Sequence, residues 1–187
     1  MKGYLAWMNS QQKMNGWIFA RMQDISLDSA DGPFGSNLKK EHYTDNKEVR
    51  IIQLSNIGEL GWKDANVKYT TFEHLHIIAR SEAYAGDIII AKMMPASRAI
   101  IYPPGEKKYV LSSDAVRFDF PSCLYKKYLY YAINSSVVNE QVYSQVQGIT
   151  RVRTSLNKLR TYIIPIPPFE EQKRIVNKIE EIFSVLK

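Results

Sequence analysis

Three prolines within four residues constrain the C-terminal part of this chain more than any other feature of its sequence. A β-branched run at residues 162–166 leads into them and predicts a closing strand. Proline has no backbone N–H and a fixed φ, so Pro165, Pro167 and Pro168 are expected to stop both sheet pairing and a helix interior. Pro168 suits the first turn of a helix, and two glutamates that follow it suit the positive end of that helix. The sequence therefore predicts a strand, a sharp junction and then a helix.

This C-terminal helix carries an apolar stripe. The positions that form its expected pairing face are Ile175, Ile179, Ile182, Phe183 and Leu186. Such a helix packs on the core of its own domain or pairs with a partner helix, and the spacing alone leaves both interpretations open. The pattern still runs at Lys187, so we expect a long helix that is cut short there and whose apolar face meets a partner helix.

The composition restricts the class of protein. A chain of 187 residues with 45% hydrophobic residues is long enough for one domain with its own core. Its 25 basic and 19 acidic residues give a net charge of +6, which favours a polyanionic partner. The single Cys123 is expected to be a small buried apolar side chain, and the absence of any cysteine pair favours a reducing cytoplasm. No apolar run approaches the roughly 18 residues that span a bilayer, so we expect no membrane association.

Short β-rich segments separated by turns fill the middle of the chain, and two helices follow them. The apolar run within residues 86–93 predicts a strand that is buried on both faces. Other strands are expected at residues 49–54, 67–72, 99–102, 109–111 and 115–120, and helices at residues 124–134 and 137–146. The pattern predicts an α/β (α+β-like) fold, a single globular domain with a curved, mixed sheet and flanking helices.

Residues 31–37 contain too many glycine and proline residues for a helix or a strand, and they predict a loop with Phe34 as an aromatic plug. Exposed glycine-rich backbone beside a hydroxyl and lysines can contact phosphate, although a solvated loop without a ligand is the alternative. The DNA-contact candidates in this loop and in the later turn region are Ser36, Lys39, Lys40, Lys92 and Arg98.

Residues 147–160 form the most basic stretch of the chain and contain no acidic residue. Fixed positive charge mixed with neutral donors suits phosphate anchoring, and arginine can pair with the O6 and N7 atoms of guanine. The candidates here are Gln147, Thr150, Arg151 and Arg153. We also expect Ser155 to cap a short helix over residues 156–160.

Four segments resemble a known family. They are I-I-P-I-P-P-F-E-E-Q-K-R-I-V at residues 163–176, D-G-P-F-G-S at 31–36, G-D-I-I-I-A at 86–91 and Q-G-I-T at 147–150. Their residues, order and spacing resemble a target recognition domain of the DNA-specificity subunit of type I restriction-modification enzymes. The resemblance covers residues 17–187, and the first segment is its most specific part.

Residues 1–15 show no clear period and are expected to form a flexible lead-in. For the rest of the chain, the resemblance implies a DNA target recognition domain at 16–166 and the start of a spacer helix at 167–187. It further implies recognition of one half of a bipartite site in double-stranded DNA. The helix would pair with a matching helix and help to dock methyltransferase subunits, and the restriction subunit would join through that complex. One recognition domain implies either a fragment of a two-domain subunit or a half-length subunit that forms a homodimer.

Two other function classes remain open at this stage. A stand-alone adenine DNA methyltransferase needs an Asn/Asp-Pro-Pro-Tyr/Phe loop and a glycine-rich bend, but residues 166–169 begin with an isoleucine and the bend is missing. A structural adaptor without DNA contact would be favoured if residues 147–160 were buried. His74 and His76 lack further metal ligands in sequence. We therefore expect no catalytic residues, no metal and no cofactor.

Overall fold

The computed structural model describes residues 16–93, 96–103, 105, 108–144 and 152–186. The expected lead-in at residues 1–15 lies outside these ranges. The strands are β1 (Ile18–Arg21), β2 (Asp28–Asp31), β3 (Tyr43–Thr44), β4 (Val49–Ile52), β5 (Ile57–Gly58), β6 (Gly61–Trp62), β7 (Tyr69–Thr70), β8 (Glu82–Ala83), β9 (Ile88–Ala91), β10 (Ala99–Ile101), β11 (Tyr109–Leu111), β12 (Ala115–Asp119) and β13 (Ile163–Ile166). The helices are α1 (Met22–Ile25), α2 (Phe72–Ile77), α3 (Lys126–Asn134), α4 (Ser136–Tyr143), α5 (Leu156–Thr161) and α6 (Phe169–Val185).

A four-stranded antiparallel sheet with the order β10-β9-β12-β2 lies at the centre of the fold. All four residues of β9 are fully buried. Ile88 and Ile90 pack into one apolar cluster, whereas Ile89 and Ala91 pack into another, because successive side chains of a strand point to opposite faces. This arrangement confirms the prediction of a strand buried on both faces and explains its uninterrupted apolar run.

A second sheet is mixed and has the order β3-β7-β4-β11-β8, with β4 and β11 parallel. Two smaller antiparallel pairs, β1–β13 and β5–β6, complete the strands. The predicted α/β fold with flanking helices is confirmed, and the structure divides the strands among four sheets. Helices α3 and α4 insert Leu129, Ile133, Val138 and Val142 into the larger core cluster. Among the described residues, no helix has the length and apolar character needed to cross a bilayer.

Local signals located several helix ends correctly. The side-chain oxygen of Ser155 accepts a hydrogen bond from the Lys158 backbone N–H, so Ser155 caps α5 as predicted. Helix α3 begins at Lys126, two residues after its predicted start.

Cys123, which precedes this helix, is exposed, so the prediction of a buried cysteine was wrong.

The proline-rich junction connects β13 to α6. Pro165 lies inside β13, opposite Phe19 of β1, so the prediction that it stops sheet pairing was wrong. The two-stranded pairing tolerates the missing N–H because β13 is an edge strand. Pro168 directly precedes α6 as its N-cap. The Tyr128 hydroxyl donates a 2.7 Å hydrogen bond to the Pro165 carbonyl oxygen and so ties the junction to α3.

Gln172, one turn into α6, is 1% exposed and fixes the helix to the domain. Its Nε2 donates to the carbonyl oxygen of Pro167 at 2.8 Å, and its Oε1 accepts the backbone N–H of Tyr125 at 2.8 Å. The most specific of the four family-like segments therefore builds the joint between helix and domain.

The two halves of α6 have different environments. Val176 is fully buried and Ile175 packs against the same core cluster, so the first half of the stripe belongs to the domain. Further along, Ile182, Phe183 and Leu186 are 51%, 46% and 75% exposed. The first half of the stripe therefore packs on the core of its own domain, and pairing with a partner helix stays a prediction for the second half.

Candidate nucleic-acid interface

An open groove with a volume of about 790 Å³ lies where four parts of the chain meet. Arg98 and Lys63 supply positive charge, and Glu59 and Asp114 supply negative charge. Neutral and apolar residues complete the lining: Leu38, Tyr43, Gln53, Leu54, Ser55, Ile57, Gly58, Ser112 and Ser113. Cations beside amide and hydroxyl groups are the groups that contact phosphates and base edges in protein–DNA interfaces.

Arg153 lies beside this groove. Its backbone forms an isolated antiparallel bridge with Met93, and its guanidinium lies 3.6 Å from the carboxylate of Asp114, a groove residue. The side chain of Arg153 remains 58% exposed. Ion pairs with this exposure are weak, so the guanidinium is free to exchange Asp114 for a phosphate or a base.

Lys92 has a different environment from the one expected of a DNA contact. Its side chain is only 9% exposed, and its ammonium group forms an ion pair with the carboxylate of Asp31. Its backbone N–H donates to the Asp114 carbonyl oxygen, and its own carbonyl oxygen accepts the Thr154 N–H, each at 2.8 Å. Lys92 therefore lies beneath the candidate interface and connects its parts.

The loop that starts at Asp31 is fixed at its base. Gly32 donates its N–H to the Ala115 carbonyl oxygen at 2.9 Å, and Pro33 is buried. Phe34 is 83% exposed, so its prediction as an aromatic plug was wrong. Pro33 and the close-packed Gly32 occupy the interior side of the loop and leave the next side chain in solvent.

Ser36, Lys39 and Lys40 are exposed, as a direct contact with DNA requires. The backbone N–H of Lys39 donates to His42 Nδ1 at 3.0 Å, which fixes this part of the loop. His74 stacks on His42 with ring centroids 4.0 Å apart and bonds the Asn37 carbonyl oxygen at 2.8 Å. His74, one of the two histidines considered as metal ligands from the sequence, thus supports the loop. Among the described residues, no three histidine, cysteine, aspartate or glutamate side chains form a group able to hold a metal ion.

The G-D-I-I-I-A segment has an architectural role. Gly86 adopts a positive φ of +105°, and the Asp87 carboxylate accepts the Tyr84 N–H at 2.7 Å. Burial raises the pKa of Asp87 in spite of this bond and of Arg117 nearby. Burial also acts to raise the pKa of Asp28, but hydrogen bonds from Arg117 and from the Ser29 backbone bring it below its usual value.

The predicted contacts are brought together only in part. Arg98 and Arg153 lie at the groove, and Leu38 of the Ser36–Lys40 loop also lines it. Gln147, Thr150 and Arg151 lie outside the described residues. Sequence reasoning missed Lys63 and the turn Ser112-Ser113-Asp114. The only signal for that turn was a run of polar residues between two predicted strands.

The structure disfavours the two other function classes, the stand-alone methyltransferase and the structural adaptor. Ile166, which replaces the amide or carboxylate of a methyltransferase loop, is buried in β13, and Pro167 serves the joint with α6. In the described part of the basic stretch, Arg153, Asn157 and Lys158 are exposed. This exposure disfavours an adaptor whose basic stretch is buried.

The family model of the type I restriction modification DNA specificity domain matches residues 35–186. The HsdS subunit from Thermoanaerobacter tengcongensis shares the fold over 98% of this chain, with 16% identity and a TM-score of 0.67. A chain from a structural study of complex assembly and conformational transition in the type I R-M system gives the same three values. The S subunit of a type I restriction-modification system from M. genitalium matches over 92%, with 15% identity and a TM-score of 0.58.

This chain spans 44%, 45% and 40% of those three longer chains, in the order given. No curated protein matches the sequence. The family model covers well over half of the chain, including the loop from Gly35 onward, the groove and the C-terminal joint. The chain therefore belongs to the family of type I restriction modification DNA specificity domains.

Proposed function

We propose that this chain binds double-stranded DNA and recognises one half of a bipartite site for a type I restriction-modification complex, without performing chemistry itself. The observation that carries the proposal is the open groove, where Arg98 lies among neutral donors, with the exposed Arg153 and a lysine-bearing loop beside it. Family membership supplies the DNA-specificity context.

The division of work between phosphate and base contacts follows from side-chain chemistry. Lys39 and Lys40 are flexible point charges in solvent and suit the phosphate backbone. Arg98 is half-buried in the groove, so its planar guanidinium is held more firmly and suits a base edge. Gln53 and Ser113 offer neutral donors and acceptors for the same purpose.

The exposed apolar residues of α6 indicate which partners this chain binds. Its first half is fixed to the domain by Gln172 and Val176, whereas Ile182, Phe183 and Leu186 are left exposed. We propose that this exposed half pairs with the helix of a second recognition domain or of a second copy of this chain. The paired helices would help to dock methyltransferase subunits, and the restriction subunit would join through that assembly.

Replacing Arg153 with alanine is expected to weaken DNA binding for all sequences and to flatten the salt dependence by about 1 unit of slope, because one phosphate contact is lost. The measurement is a fluorescence-anisotropy titration of labelled duplex DNA at several salt concentrations. Arg174→Ala is the matched control, because Arg174 is exposed on α6 and pairs with Glu171. If wild-type protein fails to bind duplex DNA even at low salt, DNA binding itself is refuted. An unchanged slope in Arg153→Ala removes Arg153 from the interface.

Replacing both Ile182 and Leu186 with glutamate is expected to abolish helix pairing while leaving the unfolding temperature equal to that of the wild-type monomer at low concentration, since both side chains are exposed in the single chain. The measurement is molar mass by light scattering over a range of concentrations, beside a thermal unfolding scan. Asn177→Glu with Lys178→Glu, at exposed positions of the same helix, is the control. A wild-type chain that stays monomeric at every concentration would contradict the homodimer and leave the second recognition domain as the partner.

A further inference from the structure

We infer that Lys92 is a positioning residue of the DNA groove, which sets the relative places of three segments and does not contact DNA itself. The inference rests on the proposed function. It replaces the simpler expectation that each lysine near the groove meets a phosphate.

The backbone of Lys92 joins two of the segments. Its N–H donates to the carbonyl oxygen of Asp114, in the turn that lines the groove, at 2.8 Å. Its carbonyl oxygen accepts the N–H of Thr154 at 2.8 Å, while the adjacent Met93 bridges to Arg153. The exposed guanidinium of Arg153 returns to the Asp114 carboxylate at 3.6 Å. The position of Arg153 at the groove therefore depends on the strand end that Lys92 occupies.

The side chain of Lys92 joins the third segment. Its ammonium pairs with Asp31, the last residue of β2 and the start of the loop that carries Ser36, Lys39 and Lys40. The side chain of Lys92 is 9% exposed, whereas that of Asp31 is 44% exposed. An ammonium with so little access to water needs its carboxylate partner, so the pair fixes where the loop begins.

A paired and buried ammonium has little to offer DNA directly. Binding to a phosphate releases counterions only when the cation reaches the DNA surface, and Asp31 already neutralises Lys92. Loss of the Lys92 side chain would instead release Asp31 and loosen the loop that carries Lys39 and Lys40, while the backbone bonds of Lys92 to Asp114 and Thr154 would remain. Those cations would still reach phosphates, but at a cost in conformational entropy.

The two roles of Lys92 therefore give different results in one experiment. A direct contact predicts that Lys92→Met flattens the salt slope by about 1, as Arg153→Ala does. Positioning predicts an affinity loss of about 3- to 30-fold with the wild-type salt slope, the range found for residues that act through others. Positioning through Asp31 also predicts that Asp31→Asn adds no further loss of affinity to Lys92→Met, whereas independent contacts would add.

The experiment uses the full chain as wild type, as Lys92→Met and as the Asp31→Asn/Lys92→Met double variant. A fluorescein-labelled duplex of mixed sequence is titrated at several salt concentrations, and amide hydrogen exchange is followed at Gly32, which directly follows Asp31. We expect weaker binding, an unchanged slope, no further loss of affinity in the double variant and faster exchange at the Gly32 amide. The double variant replaces both members of the ion pair with neutral side chains and so leaves no unpaired Asp31 carboxylate, and it serves as the test if the single variant does not fold.

A flattened slope in Lys92→Met would overturn the inference and make Lys92 a phosphate contact. Wild-type affinity in a folded Lys92→Met, or unchanged exchange at Gly32, would also overturn it. Each of these results leaves the proposed function intact, because wild-type protein still binds. Failure of the wild type to bind duplex DNA at low salt would overturn the proposed function and this inference together.

Discussion

Replacing Gly32 with alanine is expected to lower the free energy of unfolding by about 3 kcal/mol or more, at the upper end of the range for overpacking. A Cβ atom at this position would lie 1.7 Å from the carbonyl oxygen of Ser112 and 3.0 Å from that of Ala115. Both neighbours are backbone atoms, so no side chain can turn away to make room. The hydrogen bond from the Gly32 N–H to Ala115 holds the loop against β12, and the shift would break it.

Gly35 provides the matched control, because it belongs to the same loop and a Cβ atom there meets nothing within 4 Å. Gly35→Ala is expected to change the free energy of unfolding by at most about 1 kcal/mol. The change is stabilising if the alanine lowers the conformational entropy of the unfolded chain. Urea denaturation followed by tryptophan fluorescence measures both variants. Equal stabilities would show that the loop base can move aside. Gly32→Ala is also expected to bind DNA more weakly, since Ser112 lines the groove.

Several elements were predictable because their causes are local in sequence. An apolar run flanked by turn residues identified β9, since a strand buried on both faces cannot alternate polar and apolar residues. A serine before an apolar helix start identified the cap of α5. The proline-rich junction, where β13 ends and α6 begins, was predictable for the same reason: proline acts on its own backbone and on the next turn.

Features that depend on long-range packing were not predictable from the sequence. The ion pair of Lys92 with Asp31 joins residues 61 positions apart, and no spacing rule connects them. The exposure of Phe34 and the tight fit of Gly32 against the Ser112 backbone likewise depend on how the loop packs in the folded chain. The groove draws its lining from four separate segments, so its shape had no signature in any one of them. The apolar stripe of α6 likewise gave no sign that its two halves have different environments.

Gln172→Ala is expected to cost about 2–4 kcal/mol of unfolding free energy. The substitution leaves the Tyr125 N–H without its acceptor and the Pro167 carbonyl oxygen without its donor, and each unsatisfied buried group costs about 1–3 kcal/mol. Gln23→Ala removes the same side-chain amide from an exposed position and is expected to stay within about 0.5 kcal/mol of wild type. Urea denaturation with far-ultraviolet circular dichroism and tryptophan fluorescence measures both. If Gln172→Ala lowers the free energy of unfolding no more than Gln23→Ala does, Gln172 does not fix α6 to the domain.

In Gln172→Glu, the hydrogen bond to Pro167 depends on pH, whereas the hydrogen bond from Tyr125 does not. An ionised carboxylate accepts from Tyr125 but cannot donate to Pro167, whereas a protonated carboxyl does both. Burial favours the protonated form in the folded state, so the pKa of this carboxyl would be higher in the folded than in the unfolded chain. Its stabilising contribution is then complete below the unfolded pKa and is lost as pH rises through the folded pKa. Gln172→Glu should therefore lose more stability at pH 8 than at pH 5. A pH-independent loss would mean that α6 detaches locally and exposes the carboxylate, and the orientation of the proposed spacer helix would then depend on other contacts.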